Sequence, residues 1–166
     1  MSVFPDPKKL PQGTPERAVA KFLAAWNQRD WAGLVRVCQP EWVKTFPRHQ
    51  RREDELGRHY TATIKAQGWL KALLGNTRML SAEIVETRGA EGLEPEFAQD
   101  VVLRVCRRIQ VGEKPAVEAE GTVAVRVLRE DSSGPSATGR WGVNPSTLAR
   151  FTSSGGAAGT PSRARG

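Results

Sequence analysis

The chain has 166 residues, of which 39% are hydrophobic and 26% charged, which is typical of one globular domain and excludes a fibrous or largely disordered chain. Its net charge of +7 permits contact with nucleic acid or with an acidic partner but does not require either. Because no run of about 18 apolar residues is present and the N-terminus lacks an apolar signal core, we expect a cytoplasmic protein without a membrane span.

The N-terminal third predicts an arm followed by two helices. Residues 1–13 contain three prolines and no hydrophobic period, which predicts an extended arm. A helix is expected to begin next, because Thr14 is a good N-cap and Pro15 suits the first helical position. Its apolar residues lie at i, i+3, i+4 and i+7 and form one stripe: Val19, Phe22, Leu23 and Trp26. Asp30 can cap a second short helix that ends before Pro40.

The segment 44–71 is basic, with seven Lys and Arg residues against three acids. Leu56, Tyr60 and Ile64 have helical spacing and predict a third helix, which we expect Gly68 to interrupt. The basic side chains, interleaved with aromatic ones, could contact a phosphate backbone. A solvated helix face explains the same run, and we favour it over nucleic-acid binding.

From residue 78 the hydrophobic period changes from 3.6 to 2, which predicts strands. Four are expected, at about 78–89, 100–111, 117–127 and 140–148, with a bulge or bend at Gly121. Helices followed by an antiparallel meander indicate an α+β domain over 14–151, in which a curved sheet packs on the first helix. The remaining residues, 152–166, have no apolar anchor and are expected to be a disordered tail.

This order of elements, with two sequence segments, resembles the NTF2-like superfamily, the cystatin-like α+β group that includes the SnoaL and ketosteroid-isomerase families. The first segment is TPERAVAKFLAAWNQRDWAGLVRVC at 14–38, and the second is the closing W-x-V-x-P-S that begins at Trp141. The resemblance implies a cone with a pocket between sheet and helices, and frequent dimerisation through the open face of the sheet. The superfamily contains isomerases, cyclases and many binding proteins, so the fold alone does not assign a function.

Motifs for metals and phosphate loops are absent from the sequence, and we expect neither a metal nor a cofactor. The two cysteines, Cys38 and Cys106, are expected to be buried thiols rather than a disulfide.

A polar pocket could form around Tyr60. In enzymes of the resembled fold, a carboxylate base works against a tyrosine or an acid, and Asp100 or Glu86 could supply that carboxylate. The alternative is that Tyr60 packs on a helix with its hydroxyl in water, and that Asp100 faces solvent. Trp26 and Trp69 lie on apolar helix faces and could be core residues or line the pocket.

Arg107 is the most unusual residue of the second strand. Alternation from Val105 and Ile109 places it on the apolar face, where an arginine requires an anionic partner or a ligand. Glu86 or Glu120 could be that partner, or a bulge could turn the side chain outward.

The opposite face of the sheet mixes charges of both signs with small residues and is the expected site of self-association. Its candidates are Arg104, Glu118, Glu120, Thr122, Ala124 and Arg126.

Our leading interpretation is a non-catalytic binding or assembly module, a homo-oligomer or a subunit bound to other proteins. A small isomerase- or cyclase-type enzyme with a hydrophobic pocket is the alternative. A third possibility is a structural component of a virus particle or mobile element.

Overall fold

The computed structural model of the protein describes residues 3–38, 61–129 and 140–152. Within these ranges, three α-helices come first, followed by four strands. They are α1 (Pro15–Asn27), α2 (Trp31–Val37), α3 (Thr61–Leu74), β1 (Thr77–Gly89), β2 (Ala98–Ile109), β3 (Val117–Arg129) and β4 (Trp141–Val143). Two 3-10 helices span Pro7–Lys9 and Pro145–Thr152. The strands form one antiparallel sheet in the order β1-β2-β3-β4. The predicted α+β class, with N-terminal helices on a four-strand sheet, is confirmed.

The first two helices begin where capping chemistry predicts. The Thr14 hydroxyl accepts the backbone N–H of Arg17 at 3.3 Å, and Pro15 is the first residue of α1. The Asp30 carboxylate accepts the N–H of Gly33 at 2.9 Å and caps α2. The predicted stripe of α1 is buried, and its four members are at most 1% exposed: Val19, Phe22, Leu23 and Trp26.

The expected break at Gly68 is wrong, because α3 runs through it without interruption. Ala66, Leu70 and Leu74 are fully buried at i, i+4 and i+8. Their packing outweighs the penalty of about 1 kcal/mol for one glycine in a helix. The helix ends at Leu74, and the N–H of Gly75 donates to the carbonyl of Lys71 at 2.8 Å. Leu56 and Tyr60 lie outside the described residues.

The curvature of the sheet has a different origin from the expected one. The pairing of β2 with β3 is continuous from Ala98 opposite Leu128 to Ile109 opposite Val117, so the bulge predicted at Gly121 is absent. The register shifts are in β1, between Met79 and Ser81 and between Ile84 and Glu86. An extra residue at each of these points raises the local twist of β1.

The last predicted strand is shorter than expected, since β4 has three residues and is followed by a 3-10 helix. Pro145 has no N–H for a sheet ladder, which explains the change of conformation. The 3-10 helix returns the chain to the core, where Leu148 and Phe151 are fully buried. The aromatic centre of the core is formed by three rings, with Phe151 lying 5.2 Å from Trp26 and 6.5 Å from Phe22 between ring centroids.

The described part of the N-terminal arm differs from the extended segment expected from its prolines. Phe4 packs against the hydrophobic core, and the carbonyl of Val3 accepts the N–H of Ala82 in β1 at 3.0 Å. Pro7–Lys9 forms a 3-10 turn capped by the Asp6 carboxylate. Phe4 is therefore an apolar anchor that the sequence pattern did not indicate. None of the described helices is long and apolar enough to cross a membrane.

Candidate functional site

The inner face of the sheet is almost entirely aliphatic. On β2 and β3 it carries seven aliphatic residues that are at most 5% exposed: Val101, Leu103, Val105, Ile109, Val123, Val125 and Val127. Arg107 lies on this face between Val105 and Ile109, because the unbroken register of β2 preserves the alternation. Its side chain is fully buried. The inward orientation expected from strand parity is therefore the one observed.

The Arg107 guanidinium is held at one end only. Its Nη1 donates to two backbone carbonyls of the C-terminal 3-10 helix, those of Arg150 and Phe151, both at 2.9 Å. Its Nε and Nη2 are buried and have no hydrogen-bond partner in the described part of the chain. These two donors lie on the same edge of the guanidinium plane, and this edge binds carboxylates in a bidentate geometry.

The two expected partners of Arg107 lie elsewhere. Glu86 is on the outside, 53% exposed at its side chain and 3.7 Å from Arg88. Glu120 is exposed and pairs in register with Cys106, one position away from Arg107 and hence on the opposite face. Among the described residues no Asp or Glu is buried, since the buried polar residues are Thr77, Arg107 and Thr147. Arg107 is thus a cation without a described acidic partner.

Burial lowers the pKa of the Arg107 guanidinium, because desolvation disfavours the charged form. The neighbouring Cys106 acts in the opposite direction with a smaller effect. An arginine nevertheless stays protonated at neutral pH, so the interior of the protein contains a positive charge.

A second unsatisfied polar group lies close to Arg107 in the sheet. Thr77 pairs with Ile109, and Met79 pairs with Arg107, so Thr77 and Arg107 occupy neighbouring positions on the inner face. The Thr77 hydroxyl is buried without a partner among the described residues. Its carbonyl is well satisfied, because it accepts the Trp26 indole N–H at 3.1 Å. Sequence reasoning missed Thr77, because the alternation that continues back from Ala82 and Ile84 places it on the outer face, and the bulge after Met79 reverses that alternation.

The remaining pocket candidates do not lie together in one pocket of the described structure. Trp26 is 1% exposed and belongs to the aromatic centre of the core. Trp69 is 40% exposed on α3, so its expected place on a buried apolar face is wrong. Leu70, its neighbour in sequence, takes that place instead. Tyr60 lies outside the described residues, and its relation to a carboxylate is not described. Asp100, one of the two expected carboxylates, lies on the outer face and pairs with Arg126.

The outer face of β2 and β3 carries the six residues expected at an interface. Arg104 pairs with Glu83 at 2.7 Å, and Arg108 pairs with Glu118 at 2.8 Å. Arg126 binds Asp100 through Nε at 2.9 Å and Nη2 at 3.2 Å, and this hydrogen bonding raises the pKa of Arg126. Between these pairs lies a strip of small residues, which we call the central patch: Ser81, Val102, Cys106, Thr122 and Ala124. Val102 is already buried at 8% exposure, and the other four are partly or fully accessible.

An open groove of about 740 Å³ lies on the other side of the molecule, between the N-terminal segment, α1, α2 and the start of β4. Its lining includes four basic side chains, Arg17, Lys21, Arg36 and Arg140, against one carboxylate, Asp30. The sequence analysis did not single out these residues. The spacing of Arg17 and Lys21, one helical turn apart on α1, was the available signal.

Metal and thiol chemistry find little support in the described residues. No group of three or more His, Cys, Asp or Glu side chains among them could hold a metal ion. Cys38 and Cys106 are both free thiols; Cys38 is buried as expected, whereas Cys106 is only half-buried. Burial raises the pKa of Cys38 to about 12, and a nearby Arg140 opposes this shift only in part.

No family model and no curated protein matches the chain. Three solved structures are similar to the chain at low TM-scores. A SEC-C motif containing protein from Rhodopseudomonas palustris is 13% identical over 82% of this chain and 80% of its own, with a TM-score of 0.42. A putative calcium/calmodulin-dependent protein kinase type II association domain from Thiobacillus denitrificans is 18% identical over 86% and 93%, with a TM-score of 0.41. An LEH-like epoxide hydrolase from M. tuberculosis is 13% identical over 82% and 86%, with a TM-score of 0.35. Similarity this low carries no information about function.

Proposed function

We propose that this protein is a non-catalytic NTF2-like binding or assembly module that forms a homodimer through the outer face of its sheet. Membership of the NTF2-like superfamily is part of the proposal. It rests on the opening helix pair, the closing W-x-V-x-P-S segment and the four-strand sheet packed on α1. The reasons for expecting self-association lie on the outer face of β2 and β3.

The central patch is suited to contact with a flat, similar surface. Val102 and Ala124 lie directly opposite each other, and Thr122, Cys106 and Ser81 extend the patch towards the neighbouring strands. None of these side chains is long, so a second sheet can approach closely and bury them with little loss of rotamer entropy. Contact with a copy of the same surface would satisfy the self-complementarity that a two-fold interface requires.

The charges around the central patch favour a second copy over an acidic or basic partner. Arg104, Arg108 and Arg126 each pair with an acid of their own chain, so the rim is close to neutral. Glu120 is exposed and makes no ion pair with the described residues. In a two-fold dimer, Glu120 of one copy can lie near Arg104 of the other. Within one chain, Arg104 and Glu120 belong to neighbouring cross-strand pairs of the outer face.

We propose a non-catalytic role because of the side chains that line the interior. General acid–base chemistry in a closed pocket needs a carboxylate or an equivalent base that faces the substrate. The described acids lie on the surface, and the inner face of β2 and β3 is aliphatic except at Arg107. Finding a carboxylate within hydrogen-bond reach of Tyr60 inside a closed pocket would reverse this part of the proposal.

Sedimentation equilibrium of the full chain tests the dimer. We expect the wild type to be dimeric at tens of micromolar and the Arg104→Glu, Ala124→Glu variant to be monomeric. The matched control is Lys21→Glu, Ala24→Glu on α1, which changes the net charge by the same amount on the groove side and should remain dimeric. Circular dichroism establishes that both variants are folded. A monomeric wild type at these concentrations contradicts the proposal.

A further inference from the structure

The edge of Arg107 that carries Nε and Nη2 is an unexplained feature of the interior. A buried cation is strongly disfavoured unless an anion or a set of acceptors compensates it. The carbonyls of Arg150 and Phe151 compensate Nη1 alone. Nε and Nη2 remain without partners in the described part of the chain. Native structures rarely leave two such donors unsatisfied in one side chain.

The same chain shows what this edge binds when an acid is available. Arg126 presents Nε and Nη2 to Asp100, and the carboxylate accepts one bond from each, at 2.9 and 3.2 Å. Arg107 presents the same pair of donors to the interior. Two parallel N–H groups match the two oxygens of a planar carboxylate better than a single chloride or water.

Two further observations favour a small carboxylate. The Thr77 hydroxyl, also unpartnered, lies at the neighbouring inward position of the sheet and can donate a third hydrogen bond. The rest of the inner face is aliphatic, with Val105 and Ile109 on either side along β2, so it offers no polar group for a larger hydrophilic ligand.

We propose that the Nε–Nη2 edge of Arg107 is a buried binding site for a small monocarboxylic acid from solution, with Thr77 as an additional donor. The site lies on the inner face of the sheet and is independent of the self-association proposed for the outer face. Arg107 is fully buried and is tied to the C-terminal 3-10 helix. Entry of the acid therefore requires local opening, and we expect slow exchange between free and bound forms.

Nuclear magnetic resonance of the arginine Nε–H groups tests this site directly. The full chain, labelled with ¹⁵N-arginine and kept in a buffer without carboxylates, is titrated with acetate, then separately with acetamide and with sodium chloride. We expect acetate to produce a new, saturable Nε–H resonance for Arg107. Acetamide, which has the same shape without the charge, should bind at least tenfold more weakly, and sodium chloride should have no such effect.

The variant Arg107→Lys identifies the site, because lysine keeps the charge but cannot offer two parallel donors. We expect it to lose acetate binding, whereas Arg88→Lys, the matched change at an exposed surface pair outside the proposed interface, should retain it. The comparison of acetate with acetamide on the wild type decides the question even if Arg107→Lys does not fold.

Two results would overturn the proposal. The first is an Arg107 resonance that does not respond to acetate, which would mean that the edge is already paired with a carboxylate of the protein itself or is closed to ligands. The second is an equal response to acetate and to sodium chloride, which would indicate a general salt effect.

Discussion

Replacement of Arg107 by methionine should stabilise the ligand-free protein. Methionine keeps an unbranched apolar stem in the space that Arg107 fills, but it removes the charge and the unpaired donors. Because Arg107 is fully buried, the substitution alters interactions in the core and leaves the surface unchanged.

The magnitude follows from the contacts of the guanidinium. Loss of the two bonds from Nη1 to the carbonyls of Arg150 and Phe151 destabilises the fold by about 1.5–3 kcal/mol each. Removal of the unsatisfied Nε and Nη2 recovers about 1–3 kcal/mol each, which offsets that loss. Removal of the buried charge recovers several kcal/mol more. We therefore expect the free energy of unfolding to rise by about 2 kcal/mol.

Urea unfolding followed by tryptophan fluorescence, in a buffer without carboxylates, measures this change. Arg88→Met is the control, because the Arg88 side chain is 56% exposed, its pair with Glu86 is a surface ion pair, and it lies outside the proposed interface. A change within about 0.5 kcal/mol is expected there. A loss of 3–5 kcal/mol on Arg107→Met would refute the reasoning, since that is the usual result of breaking a buried ion pair.

Two further predictions concern Trp26 and Cys38. Trp26→Phe should lower the free energy of unfolding by about 1–3 kcal/mol in thermal or urea unfolding, because the Thr77 carbonyl loses its indole donor while most of the ring volume is kept; no measurable change would contradict this role. The folded protein should hold the Cys38 proton up to a pKa of about 12, whereas an unfolded thiol ionises near pH 8.5. The Cys38 thiol should therefore lower the stability as pH rises through this interval, by at most about 1.4 kcal/mol per pH unit, and the fall should be smaller by this contribution in Cys38→Ala. An equal pH dependence in the two proteins would exclude this assignment.

Much of the fold followed from local signals. Thr14, Pro15 and Asp30 positioned the first two helices, because capping is a contact within one turn of the chain. The alternation of apolar and polar residues located the strands, because successive side chains of a strand point to opposite faces of the sheet. The errors came from long-range packing. Gly68 is tolerated because its neighbours Leu70 and Leu74 bury their side chains, and the helical pattern of α3 did not reveal how much that burial contributes.

The candidate site was only partly predictable. Strand parity was sufficient to place Arg107 inward, since β2 has no bulge relative to β3. Its partners could not be predicted, because the carbonyls of Arg150 and Phe151 belong to a 3-10 helix beyond the expected end of the last strand, and no sequence signal indicated that helix. A bulge after Met79 similarly shifts the alternation of β1, and its position depends on the curvature required by the whole sheet.

The arginines of β2 lie in two different environments, one on each face of the sheet, and each environment supports one of the two proposals. Arg104 and Arg108 point outward and find acids on the neighbouring strands, at 2.7 and 2.8 Å. Arg107, beside Arg108 in the sequence, points inward, where no described acid is buried. On the outside, solvent and flexible acids allow each arginine to be paired locally, so the face becomes neutral enough to meet a copy of itself. On the inside, no described carboxylate serves this purpose, and in our proposal a small carboxylate ligand supplies the compensating charge.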